Sequence, residues 1–336
     1  MEAEPLRVVI WGAGYFGRKW LHEVQRNGDC TLLGVISRSR DRVSGLVREL
    51  SLDPLAAFDS PADARNAGAE AVIITVPQML HRDAAVAALD AGLHLILEKP
   101  LAMSLDEGRV VVKRASASPD RVFMVTQNFR WRPHTLALRK AVLGGVIGRV
   151  ANVFIECRQA IKRSTTEAWR ERMDDPYLAD FAIHHFDLIR YVTGLEVDEV
   201  FATSFRPAGS WFDGRSAAAA ILKMNGGAVV SYQGTMVTPG AVTTQEGLIT
   251  IVGESGALRL DGKYQVILSG TGDPIALPEP PVPDGELAHG LRELVDAIRS
   301  KRRPETHVED NFKSFAALMA AMESAATGKA VKVATA

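Results

Sequence analysis

A glycine-rich loop near the start of the chain constrains the fold more than any other feature of the sequence. Gly12, Gly14 and Gly17 form the pattern Gly-x-Gly-x-x-Gly in GAGYFG, after the apolar run RVVIWG and at the start of a helical stretch. The first glycine permits a tight turn, the second lets a pyrophosphate approach the backbone, and the third lets the helix pack on the strand. The loop therefore predicts a dinucleotide site at a helix N-terminus, with Tyr15 and Phe16 in the cofactor-binding loop.

The first part of the chain, to about residue 130, alternates β-branched runs with helical stretches, which is the pattern of a parallel sheet with crossover helices. The predicted helices include 15–27 and about 40–50. The strand runs are almost entirely apolar, as expected for strands covered on both faces. The predicted strands lie at residues 7–12, 31–37, near 57–58, 71–76, 94–99 and 122–127.

From about residue 148 the chain changes to longer segments of alternating polarity, joined by turns such as Asn225-Gly226-Gly227 and Asp261-Gly262. This pattern predicts an antiparallel meander. A helix over 178–193 interrupts the series, and helical stretches at 285–301 and 309–327 follow it. The predicted strand segments are 149–161, 196–206, 215–224, 228–237 and 247–260.

Composition and charge argue against several classes of protein, among them nucleic-acid-binding and membrane-spanning proteins. A net charge of −1 over 336 residues argues against nucleic acid or an anionic membrane as partner, since both need a basic surface. The N-terminal stretch does not read as a signal peptide, and no run reaches the roughly 18 apolar residues of a membrane span. Cys30 and Cys157 stand apart, and the histidines form no ligand set, so we expect a reduced cytoplasmic protein without a metal site.

The residues after the second predicted strand bear on the choice of dinucleotide. An NAD site expects a carboxylate there to accept a hydrogen bond from the ribose 2′-hydroxyl. This chain has Ser37 and Arg38 instead, a hydroxyl and a guanidinium that suit a 2′-phosphate, so we predict that NADP is preferred over NAD. The alternative is a solvated turn arginine, and Asp41 lies close by.

The segment LADFAIHHFDLIRY carries polar residues on a helix that is otherwise apolar enough to be buried. At 100° per residue, Asp180, His184, Asp187 and Tyr191 fall on one narrow stripe. His185 lies among the apolar neighbours and is expected to serve packing. Such a stripe indicates either a satisfied internal network or a cavity where chemistry happens, and both remain open at this point.

A lysine ends one of the predicted central strands. Glu98, Lys99 and Pro100 lie at the carboxyl end of the strand over 94–99, where open α/β sheets place their ligands. Because Pro100 restrains the backbone before it, the ammonium group of Lys99 is expected to stay at the strand tip. There it can position a substrate hydroxyl and stabilise developing negative charge.

The motifs together resemble one family. They are GAGYFG, Val76-Pro77 with His81 four residues later, GLHLILEKPLA, QNFRWRP and LADFAIHHFDLIRYVTG, in this order along the chain. This set is similar to the family of glucose–fructose oxidoreductase and inositol 2-dehydrogenase, and the resemblance covers essentially the whole chain.

The resemblance implies an α/β protein with two domains. The first is a dinucleotide-binding Rossmann domain with a doubly wound parallel sheet over residues 1–129. The second is a substrate-binding α+β domain over 130–336, whose mostly antiparallel open sheet supports a homodimer or homotetramer. The closing helices are expected to pack back on the Rossmann domain. A nicotinamide cofactor is expected to lie across the cleft between the domains.

The resemblance also assigns roles to residues. Lys99, Asp180 and His184 match the family's catalytic groups and are expected to contact substrate, with His184 as the proton carrier and Asp180 orienting its ring. Asp187 on the same stripe is expected to be a structural partner. Arg130 is expected to contact the substrate and to contribute selectivity. The residues expected to contact the cofactor or to line the cofactor or substrate side of the cleft are Val76, Pro77, His81, Glu98, Asn128, Trp169 and Arg170.

The sequence allows two roles for His81, which either contacts the cofactor or caps the start of its helix. The chain departs from the family pattern at Tyr177-Leu178-Ala179, where many members have glycines, and this leaves the substrate open. The predicted activity is hydride transfer between a nicotinamide and a secondary alcohol or ketone of a sugar, an inositol-like polyol or a derivative. The alternatives are a glycosidase with a transient redox cycle and tightly held NAD, and a non-catalytic dinucleotide sensor.

Overall fold

The computed structural model describes residues 4–37, 39–50, 55–163, 168–270, 272–281 and 285–336. They form two compact units, and each is described by itself. The first unit is Met1–Asn128 with Asp284–Phe312 and Ala336, and the second is Phe129–Pro283 with Lys313–Thr335.

A six-stranded sheet, parallel throughout, is the centre of the first unit. Its order is β3-β2-β1-β4-β5-β6, so the chain leaves β1 in one direction and returns to its other side at β4. This is the doubly wound order of a Rossmann fold, and it confirms the predicted fold class. The strands are β1 Leu6–Trp11, β2 Cys30–Ile36, β3 Ala56–Phe58, β4 Ala71–Ile74, β5 His94–Leu97 and β6 Phe123–Val125.

Two helices of this unit, α3 (Pro61–Asn66) and α5 (Leu105–Ser116), begin at serine caps. Ser60 and Ser104 each precede a helix, and their hydroxyl groups accept hydrogen bonds from the backbone N–H groups of Asp63 and Glu107. The Glu107 carboxylate accepts in turn from the N–H of Met103, which satisfies a further donor at the helix start. The helices that precede β6 in this unit are α1 Tyr15–Arg26, α2 Arg40–Leu50, α3 Pro61–Asn66, α4 His81–Asp90 and α5 Leu105–Ser116.

Two glycines of the first loop are required by its geometry. Gly12 has φ +110°, in the region that favours glycine, and a Cβ there would lie 2.9 Å from Thr75. At Gly17 a Cβ would lie 2.1 Å from the carbonyl oxygen of Gly12. The first turn of α1 therefore packs directly on the loop, as the sequence pattern predicts.

A nine-stranded sheet is the centre of the second unit. Its order is β14-β13-β12-β11-β7-β10-β9-β8-β15, and every pair is antiparallel except β7 with β10. The strands are β7 Val150–Arg158, β8 Val197–Phe205, β9 Ala217–Met224, β10 Val229–Thr235, β11 Leu248–Gly253, β12 Ala257–Leu260, β13 Val266–Ser269, β14 Ile275–Ala276 and β15 Val331–Lys332.

The mostly antiparallel sheet confirms the predicted class of the second domain, but a simple meander is wrong. Strand β7 lies between β11 and β10, far along the chain from both, and it pairs with β10 in parallel. The predicted long strand 247–260 is also wrong, because it divides into a hairpin: the N–H of Gly253 donates to the carbonyl of Gly256 across the turn.

The remaining helices are α6 Pro133–Leu143, α7 Ala168–Glu171, α8 Ile183–Thr193, α9 Glu286–Arg299 and α10 Val308–Thr327. The helix predicted over 178–193 differs at its start. Tyr177–Ala182 form a π-helix, in which each hydrogen bond spans one residue more than in an α-helix, and α8 continues from Ile183. Helix α8 ends as expected at Gly194, which has the left-handed conformation that caps helices.

Residues 284–312 group with the first unit. The sequence analysis counted them in the domain over 130–336 and expected the closing helices to pack back on the Rossmann domain. Contacts with helix α1, with the residue before β2 and with strand β6 account for the grouping. Helix α9 packs on α1, and its Arg299 pairs with Asp29 at 3.0 Å. The carbonyl of Thr306 accepts from the N–H of Val125 at the edge strand β6. Within the described ranges, no helix has the length and apolarity needed to cross a membrane.

Candidate active site

The glycine loop lies at the switch point of the parallel sheet, where the loops after β1 and β4 leave neighbouring strands in opposite directions. Gly14 precedes α1 and is exposed, and a Cβ built on it would meet nothing within 4 Å. Tyr15 beside it is 55% exposed. Open space over Gly14, next to the free N–H groups of the helix start, fits the pyrophosphate of a dinucleotide.

The loop after β2 carries the residues predicted to choose between NADP and NAD. The Ser37 hydroxyl accepts from the backbone N–H of Ser39 at 3.2 Å and so forms a local turn. Arg38 lies outside the described residues. Asp41 follows in the exposed first turn of α2.

The loop after β5 holds Glu98 and Lys99 at the predicted strand tip. The indole N–H of Trp20, on α1, donates to the carboxylate of Glu98 at 2.8 Å. Burial raises the pKa of Glu98, although the Trp20 hydrogen bond and the Lys99 charge act in the opposite direction. Lys99 is half-buried, and its peptide bond to Pro100 is cis. The predicted contact of Glu98 with the nicotinamide ribose stays a prediction.

His81 links two of these strand-end loops. Its ring nitrogens lie 2.6 Å from the carbonyl oxygen of Pro100 and 3.1 Å from that of Val76, and the side chain is buried. Burial lowers the pKa of His81, although both carbonyls act to raise it. A neutral ring donates to only one of the two oxygens. His81 thus ties the loop after β4 to the loop that carries Lys99. This role differs from the two that the sequence allowed, cofactor contact and helix cap.

Two further residues predicted to bind cofactor lie elsewhere in the first unit. The side-chain amide of Asn128, which follows β6, donates to the carboxylate of Glu286 at the start of α9. Pro77 is exposed after β4. Their contacts with a cofactor stay predictions.

In the second unit, Asp180 lies in the π-helix and is held by an arginine. The Arg170 guanidinium, on α7, is 2.7 Å from the Asp180 carboxylate, and the Asp180 side chain is only 3% exposed. Arg170, predicted to line the cofactor or substrate side, therefore lies against a predicted catalytic carboxylate. The side chain of Trp169 lies outside what the structure describes.

Asp187, one turn after His184, is the centre of a buried ionic network. The Arg130 guanidinium donates two hydrogen bonds to its carboxylate, each 2.6 Å long, and both side chains are almost fully buried. The Ser314 hydroxyl on α10 donates a third bond at 2.7 Å. These contacts are those expected of a structural partner, the role predicted for Asp187. They also give Arg130 an internal partner, and its predicted contact with substrate stays a prediction.

The two adjacent histidines have different surroundings, as the sequence predicts. His185 is fully buried, with its Nε2 atom 2.8 Å from the carbonyl oxygen of Gln245 and its Nδ1 atom 2.8 Å from the Tyr232 hydroxyl. The carbonyl can only accept, so Nε2 carries the proton and Nδ1 accepts from Tyr232. Burial lowers the pKa of His185 to about 4, which keeps the ring neutral near pH 7.

His184, the predicted proton carrier, stacks on an aromatic ring. Its imidazole lies 4.5 Å from the Phe129 ring centre at an angle of 15°. Sequence reasoning did not single out Phe129, nor Trp20 as the partner of Glu98. The motif QNFRWRP contains Phe129, but nothing in a linear pattern shows which ring meets it. Among the described residues, no three His, Cys, Asp or Glu side chains gather as metal ligands.

Comparison with known proteins follows the same division of the chain. A model described as an oxidoreductase family with an NAD-binding Rossmann fold matches residues 6–126. A second model, the GFO/IDH/MocA C-terminal domain, matches residues 135–259, and together they cover more than half of the chain. The chain belongs to the Gfo/Idh/MocA oxidoreductase family. This confirms the resemblance noted in the sequence and the expectation of an oxidoreductase.

Members with curated names share about a quarter of their residues with this Gfo/Idh/MocA protein. D-apiose dehydrogenase of Paraburkholderia graminis is 25% identical over 97% of this chain and 89% of its own. Inositol 2-dehydrogenase of Rhizobium meliloti is 28% identical over 59% of this chain and 58% of its own. An Agrobacterium radiobacter oxidoreductase, solved with NAD+, L-tartaric acid and magnesium, superposes with TM-score 0.89 over 98% of both chains at 22% identity. The last comparison supports the fold alone.

The Asp187 network makes a testable prediction about stability. Asp187→Ala leaves the Arg130 guanidinium buried without its counter-charge, so we expect a loss of about 3–5 kcal/mol in the free energy of unfolding. The matched control is Asp59→Ala, because the Arg40–Asp59 pair is 71% and 67% exposed and its removal is expected to cost less than about 1 kcal/mol. Urea unfolding of both variants measures the difference. Equal losses would contradict the structural role of Asp187, and Asp187→Asn, which keeps the shape, should lie between the two.

Proposed function

We propose that this protein transfers a hydride between a nicotinamide cofactor and a secondary alcohol or ketone of a sugar, an inositol-like polyol or a derivative of one. The observation that carries the proposal is the polar face of the helix over Tyr177–Thr193, where a buried carboxylate paired with arginine and a stacked histidine occur together. Membership of an oxidoreductase family supports it.

The chain's own groups divide the work in this proposal. Lys99, Asp180 and His184 are the proposed catalytic residues. In oxidation, His184 accepts the proton of the substrate hydroxyl, and the ammonium group of Lys99 stabilises the negative charge that develops on the oxygen. Asp180 stabilises the imidazolium that forms, and Arg170 holds Asp180 in place. A bound nicotinamide supplies the hydride acceptor or donor.

The substrate class rests on the names of relatives as well as on chemistry. D-apiose dehydrogenase and inositol 2-dehydrogenase are named for a sugar and a cyclic polyol. A histidine that accepts a proton and a lysine that stabilises negative charge on oxygen, the roles proposed above, suit a hydroxyl group on a neutral, polar molecule. We therefore propose a sugar or polyol substrate.

We also propose that NADP is preferred over NAD. The support is the sequence after β2, where Ser37 and Arg38 stand in place of the carboxylate that repels a 2′-phosphate. One solved neighbour was determined with NAD+, one with NADH, and a third is described as NADPH-dependent, so the preference proposed here rests on this chain's own loop.

The outer face of the nine-stranded sheet supports the proposal of a homo-oligomer. Phe154, Phe201, Phe205 and Ile221 are each 42–51% exposed on β7, β8 and β9. Most of them line a concavity of about 690 Å³ on this face. A contiguous apolar surface of this kind is typical of protein–protein contacts, and we propose that a second copy of the chain covers it to form a dimer or tetramer.

The catalytic assignment is tested by measuring nicotinamide reduction with a panel of sugars and polyols. We expect Lys99→Met and His184→Asn to lower kcat by about 10²-fold or more, since each removes a group that acts on the reacting oxygen. Lys263→Met and His22→Asn, which change exposed side chains, are the matched controls and should keep full activity. Full activity in either catalytic variant would contradict the assignment.

The cofactor preference is tested by fluorescence titration with NADPH and NADH. We expect NADPH to bind more tightly, and Arg38→Ala to weaken NADPH by about tenfold while leaving NADH nearly unchanged, as expected for the loss of one charge-assisted contact. Arg40→Ala serves as the control, because the Arg40 side chain is exposed and lies near Asp59. Equal or tighter binding of NADH would contradict the preference.

A further inference from the structure

The Phe129 ring lies between His184 and a second cationic side chain. The Arg132 guanidinium carbon is 3.8 Å from the Phe129 ring centre, while the His184 imidazole stacks at 4.5 Å from the same centre. Two groups this close to one ring centre cannot share a face without overlapping, so they lie on opposite faces. The result is a column of imidazole, phenyl and guanidinium, all in the second unit and with Phe129 buried.

The far end of this column is fixed by a buried carboxylate. Arg132 donates hydrogen bonds to the carboxylate of Glu246 and to the side-chain oxygen of Gln245, the latter at 3.0 Å. Glu246 is fully buried, and His134 lies 2.8 Å from the same oxygen. Burial alone would raise the pKa of Glu246, but the bonds with His134 and Arg132 lower it to about 2. The carboxylate is therefore ionised and holds the guanidinium over the ring.

The column affects how His184 carries a proton. An aromatic face is electron-rich, so it attracts a cation on either side. With Arg132 already on one face, an imidazolium on the other face gains less, and the two positive charges oppose each other through the ring. A phenyl ring in this position can hold the imidazole in one orientation, and a guanidinium on its other face weakens the attraction of the ring for the protonated form.

We propose that Phe129 is a positioning residue for His184, and that Arg132, fixed by Glu246, favours the neutral imidazole that accepts a proton. This inference rests on the proposed function for its catalytic consequence, but not for the state of the imidazole itself. The charged and titratable groups on the helix of His184 are Tyr177, Asp180 with Arg170, His185 with Tyr232, Asp187 with Arg130, Arg190 with Glu196, and Tyr191. On the segment that carries Phe129 they are Arg130 and Arg132, the latter paired with Glu246.

The first test measures the imidazole directly, in the protein without added substrate. Histidine-labelled protein gives the pKa of His184 by nuclear magnetic resonance, with His184→Asn identifying its signal. Arg132→Met removes a positive charge and should raise that pKa by about half a unit, whereas Glu246→Gln removes the opposing negative charge and should lower it. Shifts in opposite directions support the proposal. A pKa of His184 that stays the same in both variants overturns it.

The second test separates positioning from simple packing. Phe129→Leu keeps an apolar side chain but removes the ring, and it should lower kcat about three- to tenfold with KM for the nicotinamide unchanged. Phe129→Tyr keeps the ring and should recover most of the activity. A loss in Phe129→Tyr as large as in Phe129→Leu overturns the positioning role. If the wild type oxidises no substrate, the proposed function fails. The pKa measurements still show whether Arg132 and Glu246 affect the protonation of His184.

Discussion

Burial of charge on one helix face is the constraint on which the second unit depends. The helix over Tyr177–Thr193 places Asp180 and Asp187 where each side chain is nearly sealed from water, and an unpaired carboxylate there would cost several kcal/mol. Each is therefore met by an arginine from another element, Arg170 and Arg130. Arg130 belongs to the 3-10 turn at Asn128–Trp131 and Arg170 to the short helix α7, so each ion pair ties one of these elements to the helix.

The two ion pairs also bear on which residues of the polar helix face are structural and which are proposed to act in catalysis. Asp187 is saturated by Arg130 and Ser314, and it serves as an anchor between three elements. The sequence left open whether the stripe was an internal network or a reactive surface. The structure shows the network at Asp187, and the reactive role is proposed only for Asp180 and His184.

Local patterns predicted the first unit well. The strand positions, the glycine loop and the order of helices follow from short-range periodicity and from glycines whose side-chain space is already filled by backbone. Such local patterns could not predict contacts between residues that are far apart along the chain. Trp20 and Glu98 are 78 positions apart, and Arg132 and Glu246 are 114 apart, so no spacing rule brings them together.

The second unit was harder to predict for the same reason. Its alternating segments predicted antiparallel strands, but alternation does not say which strands are neighbours, and β7 pairs with β10 in parallel. The π-helix at Tyr177–Ala182 was also missed, because the apolar pattern there fits an α-helix. The different surroundings of the two adjacent histidines were predicted, since the face of a helix follows from the sequence.

Transfer of deuterium from a labelled nicotinamide to the substrate distinguishes net hydride transfer from a transient redox cycle. NADPH or NADH labelled at the transferable position of the nicotinamide ring is incubated with keto-sugars, and the products are measured by mass spectrometry. We expect the reduced product to carry the label on its new carbinol carbon, and His184→Asn to form little of it. An unlabelled product, or release of a sugar leaving group from a glycoside while the nicotinamide stays unchanged, would contradict it and favour cleavage through a transient redox cycle.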